Sequence, residues 1–103
     1  MNFNDRVYEA CKKIPKGKIS TYKLLAEYLD CKAYRVVGQA LKKNPYAPIV
    51  ACHRIVNSNG NIGGFCGETK GKKIKDKINL LEKEGVFVEN NKIVDFEKKL
   101  FRF

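Results

Sequence analysis

Apolar positions recur at helical spacing in four stretches of the chain. Phe3, Val7, Cys11 and Ile14 mark a first helix, with Asn4 or Asp5 near its cap and Pro15 as its stop. Pro15-Lys16-Gly17-Lys18 reads as a turn. Ser20 or Thr21 can cap a second helix with Leu24, Leu25, Tyr28 and Leu29 on its apolar face. After a break at Asp30-Cys31-Lys32, a third helix is expected from about Ala33 to Lys43, turning Ala33, Val36, Val37, Ala40 and Leu41 inward. Its outward face would carry Arg35, Gln39, Lys42 and Lys43, side chains suited to phosphates and base edges. Two short helices joined this way fit a helix-turn-helix, and an ordinary helical hairpin fits equally well.

Asn44-Pro45 ends the third helix, because the residue before proline avoids the α region. The run Ile49 to Val56 then reads as an apolar strand whose centre, Cys52-His53-Arg54, is polar. Burying a histidine and an arginine is costly unless both are paired, so this is the main anomaly in the pattern. Asn57-Ser58-Asn59-Gly60 is a turn, and Gly63, Gly64 and Gly67 suit a closely approaching loop. Ile74, Ile78 and Leu81, with Leu80 beside them, mark a fourth helix stopped by Gly85 in a left-handed cap. Val86-Phe87-Val88 and Lys92-Ile93-Val94 read as a small hairpin around Glu89-Asn90-Asn91. The tail, Leu100-Phe101-Arg102-Phe103, is expected to pack on the core. The fold class is therefore α/β and mostly helical, a helix-turn-helix of winged-helix-like type with a small β element.

The chain has 103 residues, enough for one domain, and a single domain over 1–103 with no separate N-terminal domain is expected. Its 21 Lys and Arg against 11 Asp and Glu give a net charge of +10, which makes nucleic acid the first candidate partner. The lysines at 70, 72, 73, 75 and 77 read as a solvated basic face. No apolar run approaches the roughly 18 residues of a membrane span. The N-terminus has no charged-then-apolar leader pattern, so an intracellular, soluble, monomeric protein is expected. The four cysteines, at 11, 31, 52 and 66, form no Cys-x-x-Cys pair, so a zinc knuckle or thioredoxin motif has no support. A thiolate is a strong nucleophile, and positive neighbours lower a thiol's pKa. Cys52 is followed by His53, the chain's one histidine, and Arg54. On an extended strand, however, Cys52 and His53 would point to opposite faces. Residue types alone leave two readings open: a reactive Cys52, or a buried Cys beside a hydrogen-bonded His.

Blocks in order along the chain then carry a resemblance. Ile14-Pro15-Lys16-Gly17-Lys18-Ile19-Ser20-Thr21-Tyr22, Ala33 through Leu41, Asn44-Pro45, Cys52-His53-Arg54-Ile55-Val56, Gly63-Gly64-Phe65 and Leu80 through Gly85 resemble the methylated-DNA–protein-cysteine methyltransferases. The resemblance implies direct transfer of an alkyl group from O6 of guanine in double-stranded DNA to Cys52, once per molecule, after the base is flipped out. It implies a water-mediated proton relay from Cys52 to His53, oriented by Glu84. Tyr22 would bind the flipped base and protonate it on departure, and Lys77 would lie near the active loop. Arg35 would fill the gap in the duplex, with Tyr34, Gln39 and Thr21 as further DNA contacts. Backbone carbonyls of Cys52 and Ile55 would read the guanine amino group. Asn44, Ser58, Phe65 and Cys66 would complete the pocket. No metal or other cofactor is implied. Ala51 and Ala47 stand where the family usually has proline. The rival readings are a non-catalytic, alkyltransferase-like lesion binder, which would replace the acceptor Cys; a helix-turn-helix regulator; and a Cys-His hydrolase.

Overall fold

The computed structural model describes residues 2–32, 34–45, 51–63 and 71–103. Ala33, Ala47, Pro48, Ile49, Val50, Gly64, Phe65, Cys66, Gly67 and Lys70, all singled out by the sequence, lie outside the described residues. The elements run α1 (Phe3–Cys11), β1 (Ser20–Thr21), α2 (Tyr22–Tyr28), α3 (Tyr34–Lys42), a 3-10 turn (Cys52–Arg54), β2 (Ile55–Val56), α4 (Lys72–Lys83), β3 (Val88–Glu89), β4 (Lys92–Ile93) and α5 (Phe96–Lys99). This is the expected helical α/β architecture, with α5 as an unforeseen addition.

The cap of α1 is Asn2, not Asn4 or Asp5. Asn2 has extended backbone, and its side-chain oxygen accepts from the Asp5 N–H at 2.8 Å, as an N-cap requires. The helix stops at Cys11, and Ile14 is buried beyond its end. Thr21 caps α2, its hydroxyl accepting from the Leu24 N–H at 3.1 Å. The inward face of α2 is Leu25, Ala26 and Leu29. Tyr28, expected there, is 47% exposed and stacks on Phe103 at 4.9 Å between ring centroids. On α3 the inward residues are Val37, Ala40 and Leu41. Val36 is 43% exposed, against expectation, because it lies 100° round the helix from Val37 and falls off that stripe.

β1 and β2 pair in parallel, Ser20 opposite Ile55 and Thr21 opposite Val56. They divide the interior into two apolar clusters. Successive residues of a strand face opposite sides. Ile55 accordingly joins the cluster made by α1, α2 and α3, and Val56 joins the cluster made by α4 and the hairpin. Tyr8 ties the helices of the first cluster together, its buried hydroxyl donating to the Ala40 carbonyl at 2.8 Å.

Gly85, at φ +87°, ends α4 as expected. Its N–H reaches the Glu82 carbonyl and the Val86 N–H reaches the Leu81 carbonyl, the double bond pattern of a left-handed helix stop. The hairpin turns on Asn90 and Asn91, both left-handed, so Glu89 belongs to the strand and not to the loop. The tail does return to the core. Leu100 bridges Ile19 in parallel, the Ile19 N–H donates to the Lys99 carbonyl at 2.9 Å, and the Phe101 N–H donates to the Ile19 carbonyl at 2.7 Å. β1 is thus held on one side by β2 and on the other by residues 99–101.

Candidate active site around Cys52

The segment expected to be a continuous strand is a tight turn at its functional centre. The Arg54 N–H bonds the Ala51 carbonyl at 3.0 Å and the Ile55 N–H bonds the Cys52 carbonyl, closing a 3-10 turn before β2 begins. Side chains in such a turn are about 120° apart, so the strand objection to a Cys52–His53 relay does not hold here. Cys52 is 8% exposed and His53 3%.

Glu84, the C-cap of α4, meets this turn. Its Oε2 lies 3.2 Å from His53 Nε2. Arg54 grips the same carboxylate with two bonds, Nε to Oε1 at 2.9 Å and Nη2 to Oε2 at 2.6 Å. The third guanidinium nitrogen, Nη1, donates to the Ile14 carbonyl at 2.8 Å, just past α1. The close approach of these segments uses Gly17, where a Cβ would stand 3.3 Å from the Glu84 carbonyl oxygen. Burial pushes the Glu84 carboxyl up, but the hydrogen bonds from Arg54 and His53 win and hold it below the usual carboxylate range. Burial pushes the His53 imidazole down. The Glu84 bond opposes this, and the charges of Arg54 and Lys77 add to it.

Tyr22 starts α2 and packs on the cluster that contains Cys52 and Cys11. Burial, then the nearby Cys52 and Cys11, raise its phenol to about 12. Cys11 is raised to about 12 by burial and then by Cys52, which makes it an inert packing thiol. Lys77 is fully buried, so the solvated reading of the lysine row fails at this position while Lys72, Lys73 and Lys75 are exposed. Its Nζ donates to the Ile55 carbonyl at 2.7 Å and to the Ile62 carbonyl. The Cys52 and Ile55 carbonyls, expected to face substrate, therefore already accept hydrogen bonds inside the protein.

The structure brings Cys52, His53, Glu84, Lys77, Ile55 and Tyr22 into one neighbourhood. Asn44 follows α3 and is half-buried. Ser58 is exposed and lies in a separate cleft of about 250 Å³ with Thr21, Lys23 and Arg102. Thr21 is 3% exposed, its hydroxyl committed to capping α2. Tyr34, Arg35 and Gln39 are exposed on α3 beside Lys42 and Lys43. Arg54 is the site residue that sequence reasoning did not select. The signal for it was present, since a guanidinium inside an apolar run must find a carboxylate. Among the described residues no group of three metal-ligating side chains is found, and no helix is long and apolar enough to cross a membrane.

Residues 2–86 match the family described as 6-O-methylguanine DNA methyltransferase, DNA binding domain. A methylated-DNA–protein-cysteine methyltransferase of Sulfolobus acidocaldarius is 46% identical over 88 residues, covering 85% of this chain and 52% of the relative. The chain spans about half the length of the curated relatives it matches. The crystal structure of Mycobacterium tuberculosis OGT in complex with DNA superposes with a TM-score of 0.71 at 36% identity, over 82% of this chain and 50% of that one. S. pombe Atl1, solved with damaged DNA containing O6-carboxymethylguanine, superposes with a TM-score of 0.81 at 29% identity, over 98% of this chain and 95% of Atl1.

Proposed function

The chain belongs to the 6-O-methylguanine DNA methyltransferase family, and on that premise we propose that it repairs O6-alkylguanine in duplex DNA by moving the alkyl group onto Cys52. The observation that carries this reading is the part-buried 3.2 Å bond to Glu84 made by His53 of the same turn that bears Cys52. An ionised carboxylate only accepts, so His53 Nε2 carries the proton and the lone pair sits on Nδ1. Nδ1 then takes the Cys52 thiol proton through a water. The thiolate attacks the alkyl carbon, forming an S–C bond as the C–O6 bond breaks and its electron pair passes to the guanine. Tyr22, whose phenol stays protonated up to about 12, hydrogen-bonds the leaving guanine and helps it depart neutral, any proton it passes on being restored to the phenol from solvent. The thioether has no easy leaving route, so each molecule acts once.

A stacked base hides O6, so the nucleotide must rotate out at a cost of roughly a few kcal/mol. The exposed Arg35 on α3 fills the space it leaves, with Tyr34, Gln39 and the +10 charge holding the backbone. The carbonyls of Cys52 and Ile55 serve the base as acceptors for its amino group. The protein works inside the cell, as a monomer, on double-stranded DNA.

The test is incubation with duplex DNA containing O6-methylguanine followed by peptide mass mapping. A methyl adduct on Cys52, absent in Cys52→Ser, is the expected result. The superposition on Atl1, solved with damaged DNA containing O6-carboxymethylguanine, favours a second reading, a lesion binder without transfer. Tight binding with no adduct on the intact thiol would establish that reading instead.

A further inference from the structure

Two side chains, Arg54 and His53, compete for Glu84. A buried imidazole bonded to a lone carboxylate is driven towards its charged form, and a charged imidazole cannot take a thiol proton. Here the carboxylate is not alone. Arg54 holds both of its oxygens, at 2.9 and 2.6 Å, while His53 shares only Oε2, at the longer distance of 3.2 Å. The guanidinium is itself fixed by the Ile14 carbonyl at 2.8 Å, so it is anchored between the end of α1 and the end of α4. A planar fork of this kind matches a carboxylate in a way a lysine does not.

We infer that Arg54 is a positioning residue for the proton relay: it cancels the charge of Glu84 and fixes its orientation, so that His53 is aligned by a carboxylate yet stays neutral. The inference rests on the reading of His53 as the proton acceptor. Among the described residues, the charged groups that act on His53 are Glu84 and Lys77 from α4 and its cap and Arg54 from its own turn, in which Cys52 is its neighbour. Lys77 also disfavours an imidazolium, but it is bonded to the Ile55 and Ile62 carbonyls and leaves the carboxylate uncompensated. Arg54 alone among these four does both jobs.

His53 is the only histidine in the chain, so its ring protons give one resolvable titration by NMR without any DNA present. In Arg54→Met the midpoint should rise by about one pH unit, because Glu84 then faces the imidazole uncompensated. In Arg54→Lys it should stay near the parent value. In Arg54→Met combined with Glu84→Gln, where both charges are gone, it should return to within a few tenths of a unit of the parent. The double variant also carries the test if the single one does not fold. The acid limb of Cys52 alkylation should move upward in Arg54→Met by the same interval. A midpoint that is unchanged or lowered in Arg54→Met overturns the inference, as does a double variant that still titrates high. The NMR midpoints are independent of the transfer reading, which stands or falls on the Cys52 adduct.

Discussion

The ammonium of Lys77 donates to the main-chain carbonyl of Ile55 across 2.7 Å with no solvent reaching it. The same group holds the carbonyl of Ile62, so one side chain from α4 clamps both ends of the segment that follows the Cys-His-Arg turn. A buried charge persists only where polar groups replace its water, and here the backbone does so. Lys77→Met keeps the length and removes the donors. Hydrogen bonds to charged groups contribute roughly 1.5–3 kcal/mol each, and the relief of ammonium burial offsets part of that. The expected loss is about 2 kcal/mol, or roughly a 10 °C fall in melting temperature for a domain of this size, read by calorimetry.

Acid should weaken the fold in a defined window. His53 and Glu84 both bind protons less readily in the folded state than in the unfolded one. Where the unfolded chain binds more protons, stability rises with pH. The His53 contribution is therefore complete above the unfolded imidazole value of about 6.5 and is lost as pH drops through the lower folded value. The Glu84 contribution follows at still lower pH. Denaturant midpoints measured from pH 8 to 4 should fall with acidification, and His53→Gln should flatten the upper part of that curve. A flat parent profile between pH 7 and 5 would contradict the assignment.

Tyr22→Phe removes a proton donor without disturbing the relay on Cys52. The transfer rate should fall about tenfold or more at every pH, with the acid inflection unmoved. The wild-type rate should show no alkaline loss from this phenol below about 12. Single-turnover kinetics with radiolabelled DNA would measure both effects.

Arg35 stands exposed on α3, and its removal should be felt most where the duplex is already weakened. Arg35→Ala should weaken binding to lesion-containing DNA by about tenfold and to undamaged DNA by less. In Lys42→Ala, which removes a phosphate contact, affinity should fall for both and the slope of log affinity against log salt should drop by about one. Fluorescence anisotropy at several salt concentrations separates these cases.

Much of this architecture was legible because it is local. The stripe Val37, Ala40, Leu41 follows from helical period, and Gly85 announced the end of α4 by needing a positive φ. The Cys-His-Arg anomaly was legible too, as a burial that demanded partners. What it did not disclose was which partners. Glu84 is 30 positions from Arg54 and Ile14 is 40 away, and only the approach of the segment after α1 to the end of α4 brings them in. The strand reading of Ile49–Val56 failed at its centre because flanking apolar residues are equally consistent with a tight buried turn. Lys77 hid in a row of lysines. Its inward phase was readable, three residues after Ile74 and four before Leu81, but charge argued for solvent and the backbone carbonyls that overrule it are not a feature of side-chain pattern.

Shortening the tail should reach the site through β1. Deleting Phe101–Phe103 removes the bond to the Ile19 carbonyl, the Ser20 hydroxyl bond to the Phe101 carbonyl and the ring stacked on Tyr28. The expected loss is about 2–3 kcal/mol, with alkylation slowed more than DNA binding, since β1 leads directly into Tyr22 and leaves α3 untouched. Urea unfolding alongside single-turnover rates would test this.

That closure also fixes when a newly made molecule can become competent. Ile19 pairs with residues some 80 positions later in synthesis, so while the ribosome still holds residue 101 in its tunnel, the strand preceding Tyr22 has only one neighbour. The three-helix cluster can assemble early from sequence-local pieces, but the corner around β1 closes only later. A stalled nascent chain would therefore already be collapsed around α1, α2 and α3 while the strand leading into Tyr22 is still open along one side.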